Sequence, residues 1–285
     1  MVEHPMTIED AIALATRAHE GQTDKAGQPY VGHLLRVMSG VRIESEVAIA
    51  AKMAAVLHDV LEDTTVTSAD LRSSGCPSEV IEAVEAVTKR DAEGLEAYLS
   101  RVAGNGIAYA VKLADMVDNS DAYRLRQLPA EDAERLRRKY TTGIGLLQVL
   151  RTKTLHPSGF YRYYVRDRDR LALLRQWSWR KDGKDGSSWP ERLSRATGGR
   201  WDPGSSSDVD ALTGMGPDPW SCGEWADAIS EPDARALAAT GGLDLDAPRV
   251  GSEPAQPSKP VPTVKRSNGT KRDVVRSTAT LLDGE

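Results

Sequence analysis

The feature that most constrains the fold is an alanine-rich apolar run that begins at Val47 and leads into a cluster of ionisable residues. A run of this kind is typical of a buried helix, so other elements must pack around it. The cluster at its end consists of His58, Asp59, Glu62 and Asp63. We predict one helix through both parts. Residues four apart lie on one helical face, so His58 would stack over Glu62, and Asp59 over the last carboxylate.

This ionisable cluster indicates a bound cation. Carboxylates four residues apart on a helix repel each other, and a buried carboxylate needs a partner. A divalent metal is the simplest partner for an imidazole and three carboxylates that share one face. A lone His-Asp pair on a helix is more often capped or exposed to solvent, so the metal hypothesis depends on ligands elsewhere in the chain.

Two further segments supply such ligands. His33 follows a turn marked by Gly27 and Pro29, and it opens a new apolar helical segment. Asp115 and Asn119 are four residues apart on a predicted helix that begins near residue 107, so they share a face. The sequence therefore places potential ligands on separate helices.

The predicted metal ligands are His33, His58, Asp59 and Asp115. Two imidazoles and two carboxylates with open positions suit manganese or iron and do not exclude zinc or cobalt. A divalent metal supplies the Lewis acid needed to cleave a phosphate ester or anhydride near neutral pH. We therefore expect a metal-dependent phosphohydrolase.

The order of these motifs resembles the RelA/SpoT-type HD-domain hydrolases, in particular the small alarmone hydrolases, which include the metazoan SpoT homologues. The motifs are His33, His58-Asp59-x-x-Glu62-Asp63 and Lys112-Leu113-Ala114-Asp115-x-x-x-Asn119. The resemblance covers Thr7 to Leu150, about half of the chain. It implies an HD-domain fold, Mn²⁺ as the metal, and hydrolysis of a (p)ppGpp-like nucleotide.

The same resemblance implies roles for five further residues. Glu62 and Asp63 would act as the catalytic pair that accepts a proton from the attacking water or orients it. Lys25 and Tyr30 match the basic and aromatic residues that hold the nucleotide in this family. Asn119 would hydrogen-bond the sugar or the base.

Two positions depart from the family pattern. Asp24 stands where the family has an arginine that flattens against the base, and Met116 stands where it has a basic residue. A short carboxylate cannot replace a guanidinium face, so the base must be recognised differently. Adenosine-type alarmones and a pyrophosphorylated RNA 3′ end, such as that of a tRNA, are candidate substrates beside guanosine alarmones. The missing positive field could come from Arg124, Arg126, Arg135, Arg137, Arg138 and Lys139.

Three functions compete at this point. The first is a Mn²⁺-dependent 3′-pyrophosphohydrolase, and the resemblance implies that such an enzyme can serve as an antitoxin to a toxic alarmone synthetase. The second is a nucleotide 2′-phosphatase of the reduced NADP type. The third is a module in which residues 156–245 bind a protein partner, because Trp and Arg are favoured interface anchors.

The predicted fold class is all-α. No alternating strand pattern of useful length occurs in the first 150 residues, so residues 1–155 are predicted to form an HD-domain helical bundle. All six tryptophans lie beyond it, in a Trp-rich, mostly irregular extension over residues 156–245. Within the extension we predict a basic helix over 161–179 and short helices over 191–196 and 233–239. Residues 246–285 have the composition of a disordered tail.

Composition excludes some classes of function. A net charge of −5 argues against a general nucleic-acid or anionic-membrane binder, because such proteins need a basic surface. No run of apolar residues is long enough to suggest a membrane span. The only cysteines, Cys76 and Cys222, are far apart and suggest neither a disulfide framework nor a zinc knuckle. We therefore predict a cytoplasmic protein.

Overall fold

Helices occupy the first part of the chain in a computed structural model, which describes residues 4–249 except 44, 168–171, 182–183, 189, 198, 204–226 and 248. These helices are α1 (Ile8–Ala18), α2 (Tyr30–Gly40), α3 (Ala48–Leu57), α4 (Val60–Asp63), α5 (Ser68–Ser73), α6 (Ser78–Val87), α7 (Leu95–Gly104), α8 (Gly106–Asn119), α9 (Ala122–Leu125) and α10 (Ala130–Leu155). The predicted helical bundle is confirmed for this part of the molecule.

Local sequence signals fix several helix starts. Thr7 and Asp10 form a capping box at α1, and Thr67 and Asp70 form another at α5. In each box the threonine hydroxyl oxygen accepts the backbone N–H of the aspartate, and the aspartate carboxylate accepts the backbone N–H of the threonine. Asn105 caps α8 by accepting from the backbone of the third helical residue. The Asn105 cap fixes the start of α8, which carries Asp115.

Helix α3 lies at the centre of the helical core, where it packs against α1, α2, α6 and α8. Its side chains are almost all buried, from Ala50 to Leu57. Small alanine side chains allow neighbouring helices to approach closely on several sides. The prediction that the alanine-rich run forms a buried helix is therefore confirmed.

The prediction of one helix through the ionisable cluster is wrong. Helix α3 ends at Leu57, α4 begins at Val60, and His58 and Asp59 lie in the break between them. The Ala55 carbonyl accepts the Nδ1–H of His58 at 2.7 Å, so a side chain takes an acceptor that a continuing helix would use. Asp63 still lies one turn after Asp59, because its backbone N–H donates to the Asp59 carbonyl at 2.9 Å.

A sheet follows the helices. Its strands are β1 (Phe160–Asp167), β2 (Ala172–Lys181), β3 (Lys184–Ser187), β4 (Glu191–Leu193), β5 (Trp201–Pro203) and β6 (Asp227–Ile229). They pair antiparallel in the order β5-β4-β2-β1-β6, and β3 pairs with β2 outside this order. A 3₁₀ turn spans Arg195–Thr197, and helix α11 spans Glu231–Thr240.

The expectation of an all-α fold with an irregular extension is therefore wrong beyond residue 160. The predicted basic helix over 161–179 is the hairpin of β1 and β2, and the predicted helix over 191–196 is β4 and the 3₁₀ turn. Tyr161, Tyr163 and Val165 alternate along β1, and aromatic and β-branched residues favour strands. The helical spacing in this segment was coincidental. Only the short helix predicted over 233–239 is confirmed, as α11.

The sheet has a core of its own. Tyr163, Leu173, Leu193 and Trp201 form a buried cluster with the small side chains of α11. The sheet also meets the helices through a buried carboxylate, Glu191, which is only 2% exposed and accepts from Arg175 and Arg249. Arg249 bonds Glu96 of α7 as well.

The end of the chain and several tryptophans lie outside the described residues. The disordered tail predicted over 246–285 does not begin at 246, because Arg249 is buried and bonds Glu191 of the sheet. The tail from residue 250 onward lies outside the described residues, as do Trp189, Trp220, Trp225 and Cys222. Cys76 is a buried free thiol. Within the described ranges, no helix is both long and apolar enough to cross a bilayer.

Candidate metal centre

Two histidine rings from different helices turn the same nitrogen toward one point. His33 Nε2 lies 3.4 Å from Asp115 Oδ1 and 3.9 Å from Asp59 Oδ2. His58 Nε2 lies 3.0 Å from the same Asp59 oxygen and 3.8 Å from the same Asp115 oxygen. The four predicted ligands therefore converge, although they are spread over more than eighty residues of sequence.

Separate elements bring these donors together. His33 lies one turn inside α2, because the helix begins at Tyr30 rather than at the histidine. Asp115 is buried on α8. The break between α3 and α4 lets two successive residues, His58 and Asp59, face the same point, which an unbroken helix would not allow.

The donor set fits a metal ion. One ligand atom from each of His33, His58 and Asp59 can be chosen so that all lie within 4.8 Å of one another. The Nε2 atom of His58 is buried and, among the described residues, has no hydrogen bond of acceptable geometry. A buried polar atom without a partner is costly, and a cation shared with the two carboxylates would satisfy it.

A surrounding layer of hydrogen bonds orients these donors. His33 Nδ1 lies 2.7 Å from Asp118 Oδ2, and the Nδ1 of His58 is bound to a backbone carbonyl. Both contacts leave Nε2 for the centre, which is the usual arrangement around a metal-binding histidine. Asp118 was missed in the sequence, although it lies only three residues after Asp115 and shares its side of α8.

Two predicted substrate residues contact the carboxylates of the centre. The Tyr30 hydroxyl donates to Asp59 at 2.5 Å, and the Asn119 amide donates to Asp115 Oδ1 at 2.5 Å. Lys112 donates to the other Asp115 oxygen at 2.7 Å. All three side chains therefore hold the carboxylates in place.

The protein without metal compensates its buried charges through protonated histidines. Burial alone would lower the pKa of His58, but the negative charge of Asp59, whose Oδ2 lies 3.0 Å from Nε2, raises it to about 9. Hydrogen bonds to Asp115 and Asp118 likewise outweigh burial and raise the pKa of His33. Burial acts to raise the pKa of Asp115, yet Lys112 and the histidines lower it. A cation at this place would replace those protons.

The predicted catalytic pair lies on α4, one turn after the ligands. The Glu62 carboxylate accepts the backbone N–H of Lys89 at 3.0 Å, which fixes it beside the loop after α6. Burial, together with the charges of Asp59 and Glu62, raises the pKa of Asp63. A carboxyl group with a raised pKa is better matched to proton transfer near neutral pH.

A cluster of lysines lies next to the centre. Burial and the charges of Lys25, Lys112 and Lys89 lower the pKa of Lys139. Lys25 and Lys139 both approach the ring of Tyr140, at 5.9 Å and 5.2 Å from its centroid. Lys25, Lys89 and Lys139 are exposed to solvent, and a group of like charges of this kind favours a bound anion. Lys89 and Tyr140 were missed in the sequence, because they come from two separate helical regions.

The structure assigns different partners to the other basic residues that were expected to supply positive charge. Arg124 binds Asp118 and Asp24, and Arg126 lies over Tyr123. Arg135, Arg137 and Arg138 are exposed and pair with acidic neighbours on α10. Burial is the main cause that lowers the pKa of Lys25, and the positive charge of Arg135 lowers it further. Among the six basic residues expected to supply positive charge, Lys139 belongs to the lysine cluster.

Parts of this chain are similar to a family model and to several known proteins. A family model described as the HD domain matches residues 11–138. The bifunctional (p)ppGpp synthase/hydrolase SpoT of Escherichia coli K12 is 40% identical over 84 residues, which cover 30% of this chain and 12% of that protein. The GTP pyrophosphokinase of Streptomyces coelicolor is 33% identical over 141 residues, which cover 46% of this chain and 16% of that protein.

A solved structure is also similar. It is that of a metazoan orthologue of SpoT that hydrolyses ppGpp, and it shares 24% identity and a TM-score of 0.41 over 53% of this chain and 93% of that one. The segments shared with the two curated relatives are only small parts of those longer proteins.

The helical fold and the histidine-aspartate cluster define the amino-terminal part of the chain as an HD domain. This HD domain is homologous to that of the SpoT-type (p)ppGpp hydrolases.

Proposed function

We propose that the protein is a metal-dependent phosphohydrolase that removes the 3′-pyrophosphate from a nucleotide. One observation carries this proposal: two imidazole nitrogens and two carboxylates converge beside a cluster of lysines. The first group suits a divalent cation, and the second suits the charge of a polyphosphate. His33, His58, Asp59 and Asp115 would hold Mn²⁺ or another divalent transition metal.

The residues of the chain divide the chemistry among them. A divalent metal, when bound, supplies Lewis-acid polarisation of a phosphoryl oxygen. Asp63 accepts the proton of the attacking water, and Glu62, held by the Lys89 backbone, orients that water. Lys25 and Lys139 neutralise the charge of the pyrophosphoryl group. The oxygen of the attacking water bonds to the inner phosphorus as the bond from that phosphorus to the ribose 3′-oxygen breaks, and the 3′-oxygen leaves as a hydroxyl after it takes up a proton from solvent.

Tyr30 and Asn119 would each contact the substrate in addition to the carboxylate that they already bind. Each donates one hydrogen bond to a carboxylate of the centre, and the oxygen and second amide hydrogen of Asn119 remain for the sugar or base. The phenol oxygen of Tyr30 retains acceptor capacity in the same way. These groups would orient the nucleotide while they keep the carboxylates in place.

We infer the substrate class from the substrates of the homologous hydrolases. A (p)ppGpp-like alarmone is the first candidate, and a pyrophosphorylated tRNA 3′ end is the second. In a cell that makes a toxic alarmone synthetase, this activity would act as the antitoxin. We place the reaction in the cytoplasm, where nucleotide polyphosphates are made.

A product assay tests the proposal. The full chain is incubated with a panel of 3′-pyrophosphorylated guanosine and adenosine nucleotides, a pyrophosphorylated tRNA and reduced NADP, with Mn²⁺ present or removed by chelation. We expect pyrophosphate release that requires the metal and is lost in Asp115→Ala. The matched control is Asp246→Ala, which removes an exposed carboxylate near α11.

Two results would contradict the proposal. Orthophosphate released from reduced NADP, with no pyrophosphate from any 3′-pyrophosphate, would instead support a 2′-phosphatase. Undiminished turnover in Asp115→Ala would remove the metal centre from the reaction.

A further inference from the structure

The metal ligand His33 is held by a carboxylate that is itself enclosed. Asp118 Oδ2 accepts the Nδ1–H of His33 at 2.7 Å, and the Asp118 side chain is only 9% exposed. A carboxylate with so little access to water needs charged partners. This bond also fixes the imidazole tautomer that directs Nε2 into the centre.

Two guanidinium groups compensate Asp118. The Nε of Arg36 donates to Oδ1 at 2.7 Å. Arg124 donates to Oδ2 and also to the backbone carbonyl of Asp118, the latter at 3.0 Å. One oxygen atom of Asp118 is therefore shared between the metal ligand and Arg124.

A second carboxylate anchors the same arginine. Asp24 Oδ2 accepts from Arg124 Nη2 at 3.0 Å, across one hundred residues of sequence. Its side chain is 5% exposed, and its other oxygen accepts the backbone N–H groups of Ala26 and Gln28 at 2.9 Å and 3.0 Å. Asp24 thus ties Arg124 to the loop that leads into α2.

The four side chains form a closed unit. Asp24, Asp118, Arg36 and Arg124 contribute two negative and two positive charges, and they join the loop before α2 to α2, α8 and α9. The unit meets the metal centre at one atom, the Asp118 oxygen that also receives His33. Any change in how Arg124 holds Asp118 therefore changes the carboxylate that orients the ligand.

We propose that Asp118 is a positioning residue for the metal ligand His33, and that Asp24 sets the metal affinity of the site by holding Arg124 on Asp118. This inference rests on the proposed function in one respect, that His33 is a metal ligand. A carboxylate behind a metal-binding histidine fixes its ring and raises its basicity. Arg36 and Arg124 hold that carboxylate in the orientation that receives His33, so loosening Arg124 weakens the effect.

Metal binding, rather than turnover, tests this inference. Mn²⁺ affinity of the full chain is measured by titration calorimetry and by the electron paramagnetic resonance signal of free Mn²⁺. We expect Asp118→Asn to weaken binding by about tenfold or more, as is typical for a carboxylate behind a ligating histidine. Asp24→Asn should weaken binding by a smaller factor, because it only loosens Arg124. Arg124→Lys should also weaken binding by a smaller factor, because a lysine cannot bridge two carboxylates in the fork geometry of arginine.

The double variant separates positioning from general stabilisation. If Asp24 acts through Asp118, then Asp24→Asn combined with Asp118→Asn should bind Mn²⁺ as Asp118→Asn does alone. Asp246→Asn and Arg137→Lys serve as matched controls, because both replace exposed ion-pair residues outside the unit. Neither control should change the affinity.

Four outcomes would each overturn the inference, one step of it, or the proposed function. Unchanged affinity in Asp118→Asn, with a wild type that binds, would overturn this inference and leave the proposed function intact. Multiplicative losses in the double variant would overturn the route from Asp24 through Asp118. A wild type that binds neither Mn²⁺ nor Zn²⁺ would overturn the proposed function instead. If Asp118→Asn does not fold, Asp24→Asn and Arg124→Lys decide, and unchanged affinity in both would overturn the inference.

Discussion

The Nε2 atom of His58 lies 3.0 Å from Oδ2 of Asp59, so two successive residues of the chain face one point. This relationship exists because α3 stops at Leu57 and α4 starts at Val60. On an unbroken helix, successive side chains point about 100° apart, since there are about 3.6 residues in each turn. The break is therefore the structural feature that makes a shared ligand position available.

The metal affinity should depend on pH in a defined direction. His58 has a pKa of about 9 in the metal-free protein, and the pKa of His33 is also raised. A metal must displace these protons, so the apparent affinity should increase as the pH rises from 7 toward 9. Calorimetry in buffers of different ionisation enthalpy should detect proton release on binding. An affinity that does not change over this range would contradict the prediction.

The stability of the metal-free protein should change in the opposite direction. The folded-state pKa of His58 lies above its ordinary value of 6.5. Its contribution to stability is therefore fully present below pH 6.5 and is lost as the pH rises through about 9. Urea unfolding in the presence of chelator should show a lower free energy of unfolding at pH 9 than at pH 6.5. His58→Gln should show a smaller difference, and an equal difference would contradict the assignment to this histidine.

Replacement of Lys139 should separate binding from stability. Lys139→Met removes one cation from a group that repels itself, so the substrate-free protein should become slightly more stable to urea. The KM for the 3′-pyrophosphate substrate should rise about tenfold, since a charged hydrogen bond contributes about 1.5–3 kcal/mol. Lys52→Met is the control, because Lys52 is exposed on α3. An unchanged KM would remove Lys139 from the phosphate site.

The junction between the sheet and the helices should depend on Arg249. This side chain is 8% exposed and bonds both Glu191 of the sheet and Glu96 of α7. Arg249→Met would leave the buried Glu191 with less compensation and should lower the free energy of unfolding by about 3 kcal/mol. Arg235→Met removes an exposed arginine on α11 and should change the stability little. Equal effects of the two substitutions would contradict the role of the junction.

The helical half was largely predictable because its signals are local. The capping boxes at Thr7 and Thr67, and the apolar period of each helix, involve residues within a few positions of one another. The strands were not predicted, since β1 is stabilised by pairing with β2 and with β6, more than sixty residues away. Leu171, Leu174 and Trp177 also match a helical period, so spacing alone favoured the wrong element.

The sequence by itself determined the chemical types of the candidate site: the order of His33, the His58-Asp59 pair and Asp115 predicted an imidazole and carboxylate centre. Only the tertiary structure decided that a helix break brings the pair to one point, and that Asp118, Arg124 and Asp24 lie behind His33. The physical reason is the separation along the sequence between the residues that determine each property. A residue type and its helical period are properties of neighbouring positions, whereas these contacts require the packing of α2 against α8 and a bond across one hundred residues.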